Sequence, residues 1–207
     1  MERNRSDEKN SGRLASGAAV KRPQITDALS RAFFEEWARV GYARLSLEKV
    51  AGAAGVGKAA LYRRWSSKAE MASDLLSQVG IDLTRTEDMG SLEADVEALL
   101  RAIRRVLRHR VIKRILVDLH AEMGREPALA DAIRPFQFAR REQANAFMDR
   151  AIARGELPPT VDRAAIADFL AAPLYWRLIV LGGKAGCEHI RRLARMIAAA
   201  AKASGDE

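Results

Sequence analysis

The chain has 207 residues, 48% of them hydrophobic and 30% charged, which is enough to bury a sizeable core and argues against an unfolded chain. Its single cysteine, Cys187, excludes an internal disulfide and a cysteine-rich metal cluster, and no run of about 18 uninterrupted apolar residues offers a membrane span. The net charge of +8 sits at the amino end: residues 1–70 carry 14 Lys/Arg against 8 Asp/Glu, residues 71–207 carry 21 against 19, a bias that suits DNA or an anionic membrane surface without choosing between them.

Alanine, leucine, arginine and glutamate dominate, so the expected fold class is all-α. Residues 1–20 mix Ser, Gly, Asn and charge without periodicity and read as a disordered basic arm. They lack the apolar run of a signal peptide, so a cytoplasmic location is expected. From Pro23, the residues Ile25, Ala28, Leu29, Ala32, Phe33, Trp37 and Val40 recur at helical spacing, and Gly41 supplies a stop.

In LSLEKVAGAAGVGKAALYRRW, Ser46 is suited to cap a short helix from Leu47, with Glu48 near its positive end. Ala51 permits a close helix crossing, Gly55 a tight turn, and Val56 plugs the corner, so the stretch reads as a helix-turn-helix. On the second of its helices Leu61 and Trp65 lie within about 40° of each other and face inward, which turns Ala59, Tyr62 and Arg63 outward. Small residues there allow close approach to base edges. Arg63 suits a bidentate contact to guanine, and Tyr62 and Arg64 suit flanking phosphates.

Ser67 with Glu70 predicts a cap for the next helix. Lys68, a cation in that helix's first turn, opposes the dipole at a cost of about 0.3–1 kcal/mol, which makes sense against a DNA phosphate. Further helices are expected over about 68–84, 91–108, 111–123 and 129–153, divided by Gly90, the RHR junction, and Gly124 with Pro127. After GELPP at 155–159, two more follow over about 162–181 and 187–203, giving about nine helices. The apolar residues Ile166, Phe169, Leu170 and Leu174, with the stripe Ile190, Leu193, Ala194, Ile197, Ala198 and Ala201, predict a subunit interface, the alternative being an internal core.

Residues 24–71 resemble the TetR family of bacterial transcriptional regulators: a first helix ending in Gly41-Tyr42, then Leu45-Ser46-Leu47, VAGAAGV, LYRRW and Ser67-Lys68. PLYWRL at 173–178 is similar to a pattern in the family's penultimate helix. Three residues depart from the family pattern: Gly57 for Ser, Ala60 for Thr or Ser, and Trp65 for Phe. The first two remove hydroxyls that usually meet phosphates, a role open to Lys58 and Arg64.

The resemblance implies a helix-turn-helix domain over 21–67 that binds an operator in double-stranded DNA through Ser46, Gly57, Lys58, Ala59, Ala60, Tyr62, Arg63, Arg64 and Lys68. It implies an effector-binding and dimerisation domain over 68–207. Candidate pocket residues are Met71, Leu75, Leu100, Ile103, Leu107, Leu119, Met123, Phe136, Phe147 and Trp176, around a small apolar or aromatic molecule, with ordinary core as the competing reading. The expected function is a homodimeric, ligand-released repressor, the alternatives being an activator or a regulator without a small effector.

An enzyme is disfavoured, because His109, His120 and His189 lack metal-ligand spacing and no glycine-rich phosphate loop follows a strand. No metal or cofactor is expected. A membrane-surface role is disfavoured too, since the basic residues do not form one long amphipathic stripe.

Overall fold

The computed structural model describes residues 23–205, and among these every regular element is helical. The basic arm expected over 1–20 lies outside the described residues. The helices are α1 (Pro23–Val40), α2 (Leu47–Ala53), α3 (Lys58–Tyr62), α4 (Lys68–Thr84), α5 (Leu92–Arg108), α6 (Arg110–Met123), α7 (Pro127–Ala153), α8 (Arg163–Tyr175) and α9 (Cys187–Ala203). Side-chain caps start four of them: Ser46, Ser67, Ser91 and Asp162 accept hydrogen bonds from the first turns of α2, α4, α5 and α8.

A helix was expected to run unbroken to 181. Instead α8 gives way to a π turn, Trp176–Val180, in which the Leu181 amide donates to the Trp176 carbonyl. Pro173, one turn earlier, has no amide to donate and so interrupts the regular ladder.

Two cores organise the chain. The first unites Leu29, Phe33 and Trp37 of α1 with Val50, Leu61 and Trp65, and also takes in Met71 and Leu75 of α4, Ile115 and Leu119 of α6 and Ile133 of α7. It therefore crosses the expected boundary at 67/68, and the helix-turn-helix rests on the helices that follow it. The second core joins α5, the end of α7, α8 and α9.

Every α9 residue assigned to the subunit interface, Ile190, Leu193, Ala194, Ile197, Ala198 and Ala201, is buried within this single chain, where α9 packs along α5. Ile166, Leu170 and Leu174 are buried with them, and of the ten only Phe169 is exposed. That interface assignment is corrected: an amphipathic stripe reports that a face is covered but not by what, and here α5 covers it. The apolar surface left exposed belongs to other side chains, Trp176, Val180, Leu181 and Met196.

Candidate nucleic-acid interface

The turn between α2 and α3 is held by its backbone: the Val56 amide donates to Ala51 O at 2.9 Å, and Gly55 takes φ +66°. Buried Leu61 and Trp65 anchor the inner side of α3 and its exit. Lys58, Ala59, Tyr62 and Arg63 are exposed, Ala60 is half-buried, and Gly57 is an N-cap with extended backbone. Ser46 accepts from the Lys49 amide and donates to Glu48.

The expected contact residues divide into two groups. Tyr62 donates its hydroxyl to Glu48 at 3.0 Å, and Lys58 stands 3.7 Å from the same carboxylate. Hydrogen bonds from its own helix amide, Tyr62 and Ser46 hold the Glu48 carboxyl below its ordinary range, while that bond pushes the Tyr62 hydroxyl up. Arg64 donates to Thr26 Oγ1 at 3.1 Å and lies over the Trp65 ring at 4.6 Å. Among the described residues no hydrogen bond or ion pair engages the guanidinium of Arg63, which is exposed at the end of α3.

Lys68 differs from its expected role as a phosphate contact standing against its own helix dipole. Its ammonium donates to the Tyr42 carbonyl at 3.1 Å and the Ala43 carbonyl at 3.4 Å, and lies 4.4 Å from the Tyr42 ring centroid. These oxygens, just past α1, offset the dipole cost from inside the protein. Glu70 reaches one residue further back than a simple capping box, accepting from the amide and hydroxyl of Ser66 at 2.7 Å.

A contact not foreseen ties the helix-turn-helix to α6. Asp118 Oδ2 accepts from the Trp37 indole at 2.7 Å and from the Tyr42 amide at 2.8 Å. Gly41 faces the same carboxylate: at φ +80° a Cβ there would stand 3.0 Å from Asp118 Oδ1. Gly41 is therefore a helix stop and a seat for Asp118 at once.

Above this junction lies a cavity of about 540 Å³, walled by α1, α4, α5, α6 and α7. Of the expected pocket residues, Ile103, Leu107 and Phe136 line it, and Phe147 lines a neighbouring cavity of about 270 Å³. Met71, Leu75 and Leu119 are buried in the first core with Met123 packed against it, and Leu100 is buried in the second. Trp176 lines neither cavity and stands instead on an outer groove with Leu181, His189 and Met196. Helical spacing selects a buried face but does not separate core from cavity.

Sequence reasoning passed over Phe34, Leu76, Thr84 and Arg140 in this lining. One available signal was Gly80, a helix-interior glycine that costs about 1 kcal/mol against alanine and so calls for a packing reason. A Cβ at Gly80 would come within 2.5 Å of the Phe136 ring.

Known proteins resemble the chain throughout this architecture. Residues 31–75 match the family model described as "Bacterial regulatory proteins, tetR family", and residues 86–197 match "Tetracyclin repressor-like, C-terminal domain". The DNA-binding transcriptional repressor TetR of Mycobacteroides abscessus is 34% identical over 165 residues, covering 75% of this chain and 82% of that protein. An uncharacterized HTH-type regulator of Bacillus subtilis, YdeS, is 27% identical over 154 residues, covering 74% and 77%. The crystal structure of the TetR family transcription regulator SCO0332 superposes with a TM-score of 0.69 at 28% identity, over 86% of this chain and 98% of that one. The flavonoid-responsive regulator FrrA superposes at 0.61 with 25% identity, over 84% and 93%.

Proposed function

Because the chain belongs to the TetR family of bacterial transcriptional regulators, we propose that it is a repressor that binds a near-palindromic operator as a homodimer and is released by a small effector. The observation that carries the DNA-reading role is Arg63, an exposed arginine at the end of α3 whose guanidinium has no partner among the described residues, while the side chains of its neighbours Tyr62 and Arg64 are both tied to the protein. In this reading residues 21–67 read DNA in the cytoplasm and residues 68–207 hold effector and partner. Tyr62 and Lys58 must leave Glu48, or share it, to reach phosphates. A family relative described as a repressor supports the sign of regulation.

Each subunit supplies one recognition helix, so half-site centres lie about 34–36 Å apart or a simple multiple of that. The effector acts from the cavity of about 540 Å³, whose walls include Phe34 of α1 and Leu76 of α4. Filling it biases the position of α1 against α4 and α6. A ligand shifts such an equilibrium only through differential affinity, so operator DNA must weaken effector binding by the factor that effector weakens DNA binding.

The test is selection of bound sequences from random duplex DNA by the full chain, followed by titration of the enriched duplex. Two-fold symmetric enrichment, with two chains per duplex, is the expected outcome. Asymmetric or absent enrichment with one chain per duplex overturns the reading. An operator that raises transcription from its promoter would identify an activator.

A further inference from the structure

The cavities beside α7 carry a charge pattern that an uncharged effector does not use. Arg140 stands on the walls of both the 540 Å³ and the 270 Å³ cavities, as does Thr84. Among the described residues no hydrogen bond or ion pair engages its guanidinium, which lies over the Phe136 ring at 5.9 Å from the centroid. No Asp or Glu stands three or four residues away on its helix, where a pairing carboxylate would sit. Surrounding protein lowers the basicity of Arg140 by desolvation, although its surface is accessible to solvent.

The smaller cavity strengthens the pattern. Its lining holds Arg85, Arg140 and Arg150 and no carboxylate. Arg85 has Asp82 at 3.5 Å, but Arg150 Nε is buried with no hydrogen-bond partner. Unpaired buried donors of this kind are costly unless something occupies them. The larger cavity is walled mainly by Leu, Ile, Val and Phe; Glu35 is the one carboxylate in its lining, which also holds Arg31 of the same helix. Its volume falls within the range of small-molecule sites.

The geometry points to an amphipathic organic anion as the effector: an apolar body in the larger cavity, and a single carboxylate, sulfonate or phosphate group held by Arg140 at its junction with the smaller one. This rests on the effector reading of the larger cavity. It narrows that reading from a merely apolar or aromatic molecule to one with a negative end, which α7 binds while the body touches α1, α4 and α6. The anion thereby anchors the molecule to α7, the last in chain order of the helices that wall the larger cavity.

Two fluorescent probes of nearly the same body separate the terms: 8-anilinonaphthalene-1-sulfonate and its uncharged parent, N-phenyl-1-naphthylamine. With the full chain, the sulfonate should bind about 10- to 100-fold more tightly. Arg140→Met should remove that preference and leave the neutral probe unchanged, and Arg140→Lys should restore part of it. Ile112→Trp, which fills the larger cavity, should weaken both probes, with circular dichroism checking that each variant is folded. Equal affinity for the two probes in the unmodified protein, or a preference that survives Arg140→Met, overturns the anionic anchor. Displacement of the sulfonate by millimolar inorganic phosphate identifies a simple anion site and overturns the amphipathic class. Failure of both probes to bind, or binding that ignores Ile112→Trp, removes the cavity itself as an effector chamber and the anchor with it.

Discussion

Arg63 and Lys68 are both basic residues at the helix-turn-helix, and their surroundings differ. Arg63 is exposed and unengaged, so its guanidinium is available for two hydrogen bonds to a base. Arg63→Ala is expected to lose about 1–3 kcal/mol on the cognate operator and relax preference at one base pair per half-site. Equal losses on operator and random duplex would remove the base-reading role. Lys68 instead holds the Tyr42 and Ala43 carbonyls and covers the Tyr42 ring. Lys68→Met should therefore lower stability by about 1–3 kcal/mol, a fall of roughly 2–4 °C in melting temperature per kcal/mol. An unchanged melting temperature with uniformly weaker DNA binding would return Lys68 to the phosphate backbone. The types of these residues were legible in the sequence, and so was the outward face of α3. Their partners were not, because Thr26 lies 38 residues from Arg64 and Tyr42 lies 26 from Lys68, beyond any local pattern.

Carboxylates tie the helices together at two junctions. Asp118 of α6 holds the end of α1 by two short hydrogen bonds, so Asp118→Leu leaves the Trp37 indole and the Tyr42 amide without their acceptor. Each orphaned donor costs about 1–3 kcal/mol. Calorimetric titration should then show weaker reciprocal coupling between effector and operator; coupling that persists at full strength would place the connection elsewhere, with α4 the remaining candidate. At the other end, Arg154 following α7 pairs with Asp88, with fully buried Asp95, and with Glu156, whose carboxylate also accepts from the Leu92 amide that opens α5. The Leu92 amide first, then Arg154, hold the Glu156 carboxyl below its ordinary 4.5. A depressed folded value means that this stabilisation is present above about pH 4.5 and fades as pH falls through the folded value. Glu156→Gln should lower the melting temperature at pH 7 and flatten its decline in acid. An equally steep acid limb in the variant would show that Glu156 is not a carrier of the pH dependence. Helix extents were legible because the caps at Ser46 and Ser67 and the apolar spacing agree; the π turn was not, since it depends on how the chain after Pro173 resolves a lost amide.

At the scale of the molecule, the question is what covers the face that α8, the π turn and α9 leave open. The α9 stripe was read from sequence as a subunit seam, but α5 already occupies it, and the residues that remain are Phe169, Trp176, Val180, Leu181 and Met196. They were hard to single out because they follow no one helical period: Leu181 lies five residues after Trp176 and shares its face only because the intervening turn is π. Trp176 and Leu181 are 58% and 62% exposed, a contiguous apolar surface of the kind that marks an interface. A homodimer through this face would bury the groove formed by Trp176, Leu181 and Met196, and with it His189. Burial first, then Arg177 and Arg192, already hold the His189 imidazole below its ordinary 6.5, and a partner adds further burial and a second set of the same cations. The dimer therefore takes up fewer protons than two free subunits, so its affinity should be greatest above about pH 6.5 and fall as acid charges the dissociated form. Leu181→Glu should give a monomer at micromolar concentration by sedimentation, while His189→Gln should leave a dimer whose affinity no longer weakens as pH falls below about 6.5. A dimer that survives Leu181→Glu would move the interface off this face, and an unchanged pH profile in His189→Gln would assign the titration to another group.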